Sequence, residues 1–281
     1  MKTRSMVAEW PHAVNMCILI FMILSFSSSP FQTLQKAANT VTSLKNVATN
    51  NDTYIVYIEE GRYWITSTIT IPRPNRYNDA SSRVIWKPWN ENHQVVITGG
   101  VPLPVKLWSL VTEYNNPQVF DMLPPSARGK VLQLNLTQAG LFKSQLIPLN
   151  RTGFYSGIQA SNELFYKGKA FYWARYPNKL PDETESFLKI SFTNGGNRVD
   201  FDASKSENRN KWPLEKRPFA FGFWYYDWAE GIEDLQNITS NGTFHFVQST
   251  ITYGVQKNQR FFLLNFLSEL DQEGEYIFKM R

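Results

Sequence analysis

The stretch FAFGFWYYDWAEGIED, residues 219–234, sets seven aromatic rings in the ten positions Phe219–Trp228. Asp227 and Glu230 stand at its downstream end, with Glu233 and Asp234 close behind. Ring faces stack on sugar C–H surfaces and a carboxylate binds hydroxyls, so Trp224, Tyr226, Asp227 and Trp228 are the candidate carbohydrate contacts. As a strand, the stretch would show Phe219, Phe221, Phe223 and Tyr225 on one face and Trp224, Tyr226 and Trp228 on the other. The same density of rings on both faces also reads as core between packed layers, and that reading predicts a large stability loss on truncation.

Glycoside hydrolysis asks for two facing carboxylates, about 5–5.5 Å apart for retention or about 6.5–9.5 Å for inversion. The acids available near aromatic blocks are Asp227, Glu230, Glu233 and Asp234, then Glu269, Asp271, Glu273 and Glu275. Spacing along the chain assigns no pair, so the catalytic residues stay unknown. Other chemistries are poorly supplied. No G-x-S-x-G nucleophile elbow occurs, and His93 and His245, the histidines beyond the leader, are far apart. The acidic run ELDQEGE lacks the Asp-x-Asp-x-Asp alternation of a calcium loop, and no zinc spacing is present. Neither a metal nor a cofactor is expected.

These residues need elements to hold them. Phe31, Leu34, Ala38, Val41 and Leu44 recur at helical steps and predict a short amphipathic helix. YIVYIEEGRYWITSTITI reads as two alternating strands broken at Glu59-Glu60-Gly61, and RVIWKP and QVVITGG follow as two more. A helix followed by short strands and polar turns at even spacing suggests the first coils of a parallel β-helix, although sandwiches and barrels give similar patterns. From Pro102 onward, Pro102, Pro104, Pro117, Pro124 and Pro125 mark a different texture. LFYKGKAFYW predicts a hairpin turning at Gly168, and Phe262–Leu270 looks helical. The domain reading is therefore 1–29 leader, 30–105 cap helix and first coils, 106–260 inserted β-rich domain, and 261–281 return segment.

The leader combines Lys2 and Arg4, a mostly apolar run Ala13–Phe26 and the small residues Ser27–Ser29, the order of a secretory signal peptide. The run is short for a spanning helix, which needs ~20 residues. Secretion is expected, with membrane anchoring the alternative if the leader is not cleaved. The lone cysteine, Cys17, lies in this leader, so a cleaved chain has no disulfide. N-x-[S/T] sequons at Asn51, Asn135, Asn150, Asn237 and Asn241 are candidate glycosylation sites. The net charge of +5 is spread without a basic cluster, which argues against nucleic acid as a partner.

Two blocks, ASNELFYKGKAFYWARYPN and YGVQKNQRFFLLNFLSELDQEGEYIF, together with the W-x-Y-D-W-A pattern at Trp224–Ala229 and VVITGG before Trp108, resemble a group of secreted right-handed parallel β-helix proteins in the pectin-lyase-like superfamily. The matching residues include Glu163, Leu164, Gly168, Lys169, Ala174, Arg175, Pro177 and Asn178, then Asn265, Glu269, Leu270, Asp271, Gly274 and Glu275. The resemblance implies β-helix coils interrupted by a β-sandwich-like domain, with a polysaccharide or other glycan as partner. It also implies a glycosidase or lyase whose catalytic coils follow the block at Glu275–Tyr276. The chain stops soon after that block, so it is expected to be a truncated N-terminal portion of such an enzyme. The alternative is a non-catalytic extracellular glycan-binding or structural protein.

Overall fold

The helix foreseen from apolar spacing is α1 (Leu34–Val47), which buries Leu34, Ala37, Ala38 and Val41. Thr33 caps it: its Oγ1 accepts the backbone N–H of Lys36 at 3.1 Å. This is a computed structural model that describes residues 18–22, 25–26, 31–47, 54–65, 67–70, 84–141, 149–153, 162–182, 184–248 and 251–278. The chain divides into two units, 1–103 and 104–281.

In the first unit β1 (Ile18–Met22), β2 (Ser25–Phe26), β3 (Tyr54–Ile58), β4 (Gly61–Trp64), β5 (Val84–Pro88) and β6 (Val95–Thr98) form two small sheets. β3 lies antiparallel to β1 and parallel to β5, and β4 lies parallel to β6. Tyr54, Val56 and Ile58 alternate inward on β3 and cluster with α1. Among the described residues, parallel pairing reaches no further than two strands at a time. The expectation of β-helix coils over 30–105 is therefore corrected. Period-two alternation buries a face but names no partner for it, and here α1 is the partner of that face.

The second unit holds short strands β7 (Ser109–Leu110), β8 (Leu132–Gln133), β9 (Thr152–Gly153), β10 (Phe165–Tyr166), β11 (Lys169–Ala170), β12 (Tyr172–Trp173) and β13 (Arg175–Tyr176), with a helical turn α2 (Pro117–Met122). Longer strands follow: β14 (Leu188–Thr193), β15 (Arg198–Phe201), β16 (Phe219–Gly222), β17 (Gly231–Ile238), β18 (Thr243–Phe246) and β19 (Arg260–Leu264), then β20 (Glu275–Tyr276). The six longer strands pair antiparallel in the order β14-β15-β18-β17-β16-β19, and β19 pairs back to β14. The result is a closed barrel.

This corrects the expected β-sandwich-like insert. β19 comes from the run Phe262–Leu270 that looked helical, and only a 3₁₀ turn, Leu267–Glu269, follows it. An apolar run of that length does not distinguish strand from helix by periodicity. By bonding β16 on one side and β14 on the other, β19 removes the two edges a sandwich would leave open. Its alternation sorts two layers: Phe261 and Leu263 enter the barrel, while Phe262 and Leu264 pack in an outer cluster with Phe219 and Leu149.

The interior is largely aromatic. Phe201 meets Phe261 at 5.3 Å, Trp212 at 5.8 Å and Phe244 at 6.0 Å between ring centres. The Phe201–Phe261 pair is edge-to-face, at 85°, an arrangement that adds about 0.5–1.5 kcal/mol beyond burial. Arg175 is sealed in beside the outer layer, with its guanidinium 3.5 Å from the Phe262 ring centre and its charge met by Glu185.

Candidate functional site

The aromatic stretch leaves the barrel at its own midpoint. Through Phe219–Gly222 the strand alternates as foreseen, with Ala220 inward and Phe219 and Phe221 in the outer cluster. Trp224 then swings into the barrel, its ring 4.9 Å from Phe246, and its Nε1–H donates to the Gly231 carbonyl at 3.1 Å. Gly222 makes room: a Cβ there would stand 2.9 Å from the Trp224 ring and from the Phe261 Cβ. The Trp224 carbonyl accepts the Gln256 N–H at 2.8 Å, and the Tyr225 carbonyl accepts Gln259 Nε2 at 2.5 Å.

Beyond that point the chain turns. The Ala229 N–H donates to the Tyr226 carbonyl at 3.1 Å, so the period-two face ends and Tyr226, Asp227 and Trp228 point away from Trp224's surroundings. Trp224 is 5% exposed, Tyr226 41% and Trp228 53%. Tyr226 and Trp228 stack at 5.1 Å and 12°, and Tyr253 sets its ring edge-on to both, at 5.2 and 5.5 Å. Asp227 accepts from Arg260 Nη1 at 2.5 Å, and that guanidinium lies 4.0 Å from the Phe223 ring centre. Of the four foreseen contacts, three are thus grouped at the surface and Trp224 is part of the barrel core.

Next to this cluster lies a cavity of about 170 Å³, whose lining includes Tyr253, Tyr225, Glu230, Glu233, Arg151 and Gly231. Its wall is made where β9 pairs with the start of β17, Gly153 opposite Gly231. A Cβ at Gly231 would meet the Thr152 carbonyl at 3.1 Å, which explains the small residue. Arg151 Nε donates to Glu233 Oε2 at 2.7 Å. Burial pushes the Glu233 carboxyl up to about 7, against the opposing hydrogen bond and charge of Arg151. Arg151 and Tyr253 were missed from the sequence, because nothing local links them to residues 224–233.

The second acidic group does different work. Glu269 Oε1 accepts Trp212 Nε1–H at 2.6 Å and Ser206 Oγ–H at 2.9 Å, and burial raises it to about 7. Glu275 takes the N–H groups of Asp271 and Gln272 on Oε2, each at 3.0 Å, and burial raises it to about 8. Both tie loops to the barrel's flank. Asp271 accepts from Asn178 Nδ2 at 2.8 Å, and Glu273 is exposed.

Among the described residues no three His, Cys, Asp or Glu side chains are placed to hold a metal ion. Asn135, Asn150, Asn237 and Asn241 are exposed, and Asn51 lies outside the described residues. Most of the leader lies outside them too, and no described helix is long and apolar enough to cross a membrane. No family model, no curated protein and no solved structure matches the chain.

Proposed function

We propose that this chain is an extracellular carbohydrate-binding protein, with the outer faces of Tyr226 and Trp228 as the sugar platform. The carrying observation is that stacked, surface-placed pair, braced by Tyr253 and adjoining a cavity with hydrogen-bonding groups. Flat rings with polar groups at one edge suit a sugar, whose ring has an apolar face and a hydroxyl rim. Asp227 and Glu230 supply acceptors at that rim. The sequence blocks that resemble carbohydrate-active proteins support the same class of ligand.

The test is affinity electrophoresis against a panel of soluble plant and microbial polysaccharides. Trp228→Ala should abolish the retardation of wild-type protein, and Tyr114→Ala, a distant exposed ring, should not. Retardation by no polysaccharide, or equal retardation of wild type and Trp228→Ala, would end this reading. Export is part of it, and N-terminal sequencing of secreted protein should find a start near Ser28 or Ser29.

A second reading, polysaccharide processing, is favoured by Glu233. A carboxyl held near neutrality in a cavity that also holds Glu230 has the character of a general acid beside a second carboxylate. Glu233→Gln should then erase release of reducing ends from a bound polysaccharide without weakening binding. Retained turnover in that variant would exclude Glu233.

A further inference from the structure

We infer that Asn237 carries an N-linked glycan whose sugars lie across the outer face of the barrel, with Phe192 as their stacking ring. Val199, Phe244 and Ile238 point into the barrel, so the residues alternating with them turn outward. Arg198 stands opposite His245, and His245 opposite Asn237. Phe192 stands opposite Asp200, which alternates with Val199 on the same side as Arg198. Because paired residues share a face, β14, β15, β18 and β17 present one surface that runs from Phe192 to Asn237.

Asn237 opens the sequon Asn237-Ile238-Thr239 and is exposed. Its Oδ1 lies 3.0 Å from His245 Nδ1, so the imidazole fixes the amide while Nδ2 has no hydrogen-bond partner among the described residues. Modification precedes closure of the barrel, as the chain enters the secretory route. Nδ2 forms a bond to the anomeric carbon of an oligosaccharide carried on a lipid diphosphate; the diphosphate leaves and the amide gives up one proton. The neighbouring sequons are placed differently. Asn135 Oδ1 accepts the N–H groups of Thr137 and Gln138 at 3.0 and 3.3 Å within a loop, and Asn241 stands in the turn between β17 and β18.

What distinguishes the face beside Asn237 is a ring among polar neighbours. Phe192 is 50% exposed, and the Arg198 guanidinium lies 5.4 Å from its ring centre. Asp200 fixes that guanidinium, accepting from Nε at 3.0 Å and from Nη2 at 2.8 Å. Three strand spacings of about 4.8 Å separate β17 from β14. The first sugars therefore lie over His245 and Arg198, whose nitrogens meet acetamide and hydroxyl oxygens, and later sugars reach the Phe192 ring with their C–H faces. This inference rests on the export part of the proposed function and on none of the platform residues.

The test is expression of the full chain in cultured animal cells, with peptide mass spectrometry of the product and melting before and after an endoglycosidase trims its glycans to the first sugar. Asn237 should be occupied, and trimming should lower the melting temperature by roughly 2–4 °C. Asn237→Gln and Phe192→Ala should each remove that fall, and Asn241→Gln should keep it. Phe192 is exposed, so its truncation leaves the barrel folded. A secreted chain bare at Asn237, a melting temperature indifferent to trimming, or a fall that survives Phe192→Ala would each overturn the inference and leave the sugar platform standing. A chain kept inside the cell with every sequon bare would end the export reading and this inference together.

Discussion

Trp224 and Trp228 belong to one short stretch, and their neighbours are equally aromatic, yet one is enclosed by the barrel and the other stands at the surface. The difference lies in the backbone between them. Up to Trp224 the chain is held to β19 and the segment after Tyr253 by backbone bonds, and alternation continues. At Tyr225–Trp228 it turns to reach β17, and side chains that would have followed Trp224 inward are carried out. Aromatic density alone therefore marks neither core nor ligand surface; the end of the strand separates them.

The strongest way to break this comparison is to truncate both tryptophans. Trp224→Ala removes a buried ring and its hydrogen bond to Gly231, and should lower unfolding stability by about 3–5 kcal/mol in chemical denaturation. A loss below about 1 kcal/mol would mean that the ring is not enclosed.

The pH dependence of the enclosed region comes next. Glu233, Glu269 and Glu275 have folded-state values of about 7, 7 and 8 against an ordinary 4.5. Because these values are raised, the fold is favoured with the groups protonated. The associated stability is fully present below about pH 4.5 and is lost as pH rises through 7 to 8. At about 1.4 kcal/mol per unit, a single group contributes on the order of 3–5 kcal/mol over that window. Glu269→Gln keeps an acceptor for Trp212 and should flatten the decline measured by melting from pH 5 to pH 8. An undiminished slope would remove Glu269 as a source.

A smaller effect sharpens the role of packing around Trp224. Gly222→Ala places a methyl 2.9 Å from that ring and from Phe261, and should cost about 1–3 kcal/mol by overpacking. Neutrality would show that the ring shifts freely. The smallest stability effect belongs to the outer partner: Trp228→Ala should stay within about 0.5 kcal/mol of wild type. A larger loss would make the surface cluster structural.

Part of this was legible locally. The apolar steps from Phe31 to Leu44 specify α1, and the turn at Gly168 specifies its hairpin, because partners in a helix or tight turn are near neighbours in sequence. The exposed position of Tyr226 and Trp228 was not legible, since it depends on where β16 stops. Nor was the approach of Arg151 and Tyr253 to Glu233, which the pairing of β9 with β17 brings about.

The sequence by itself determined the mainly β character, the aromatic wealth of residues 219–228, the helix and the hairpin. Tertiary structure alone decided that the strands close into a barrel instead of stacking in coils, and that Phe262–Leu270 begins as the closing strand β19. Alternation fixes which side chains share a face, but the partner of a strand is selected by long-range pairing. For β19 that choice satisfies backbone groups on both of its sides at once.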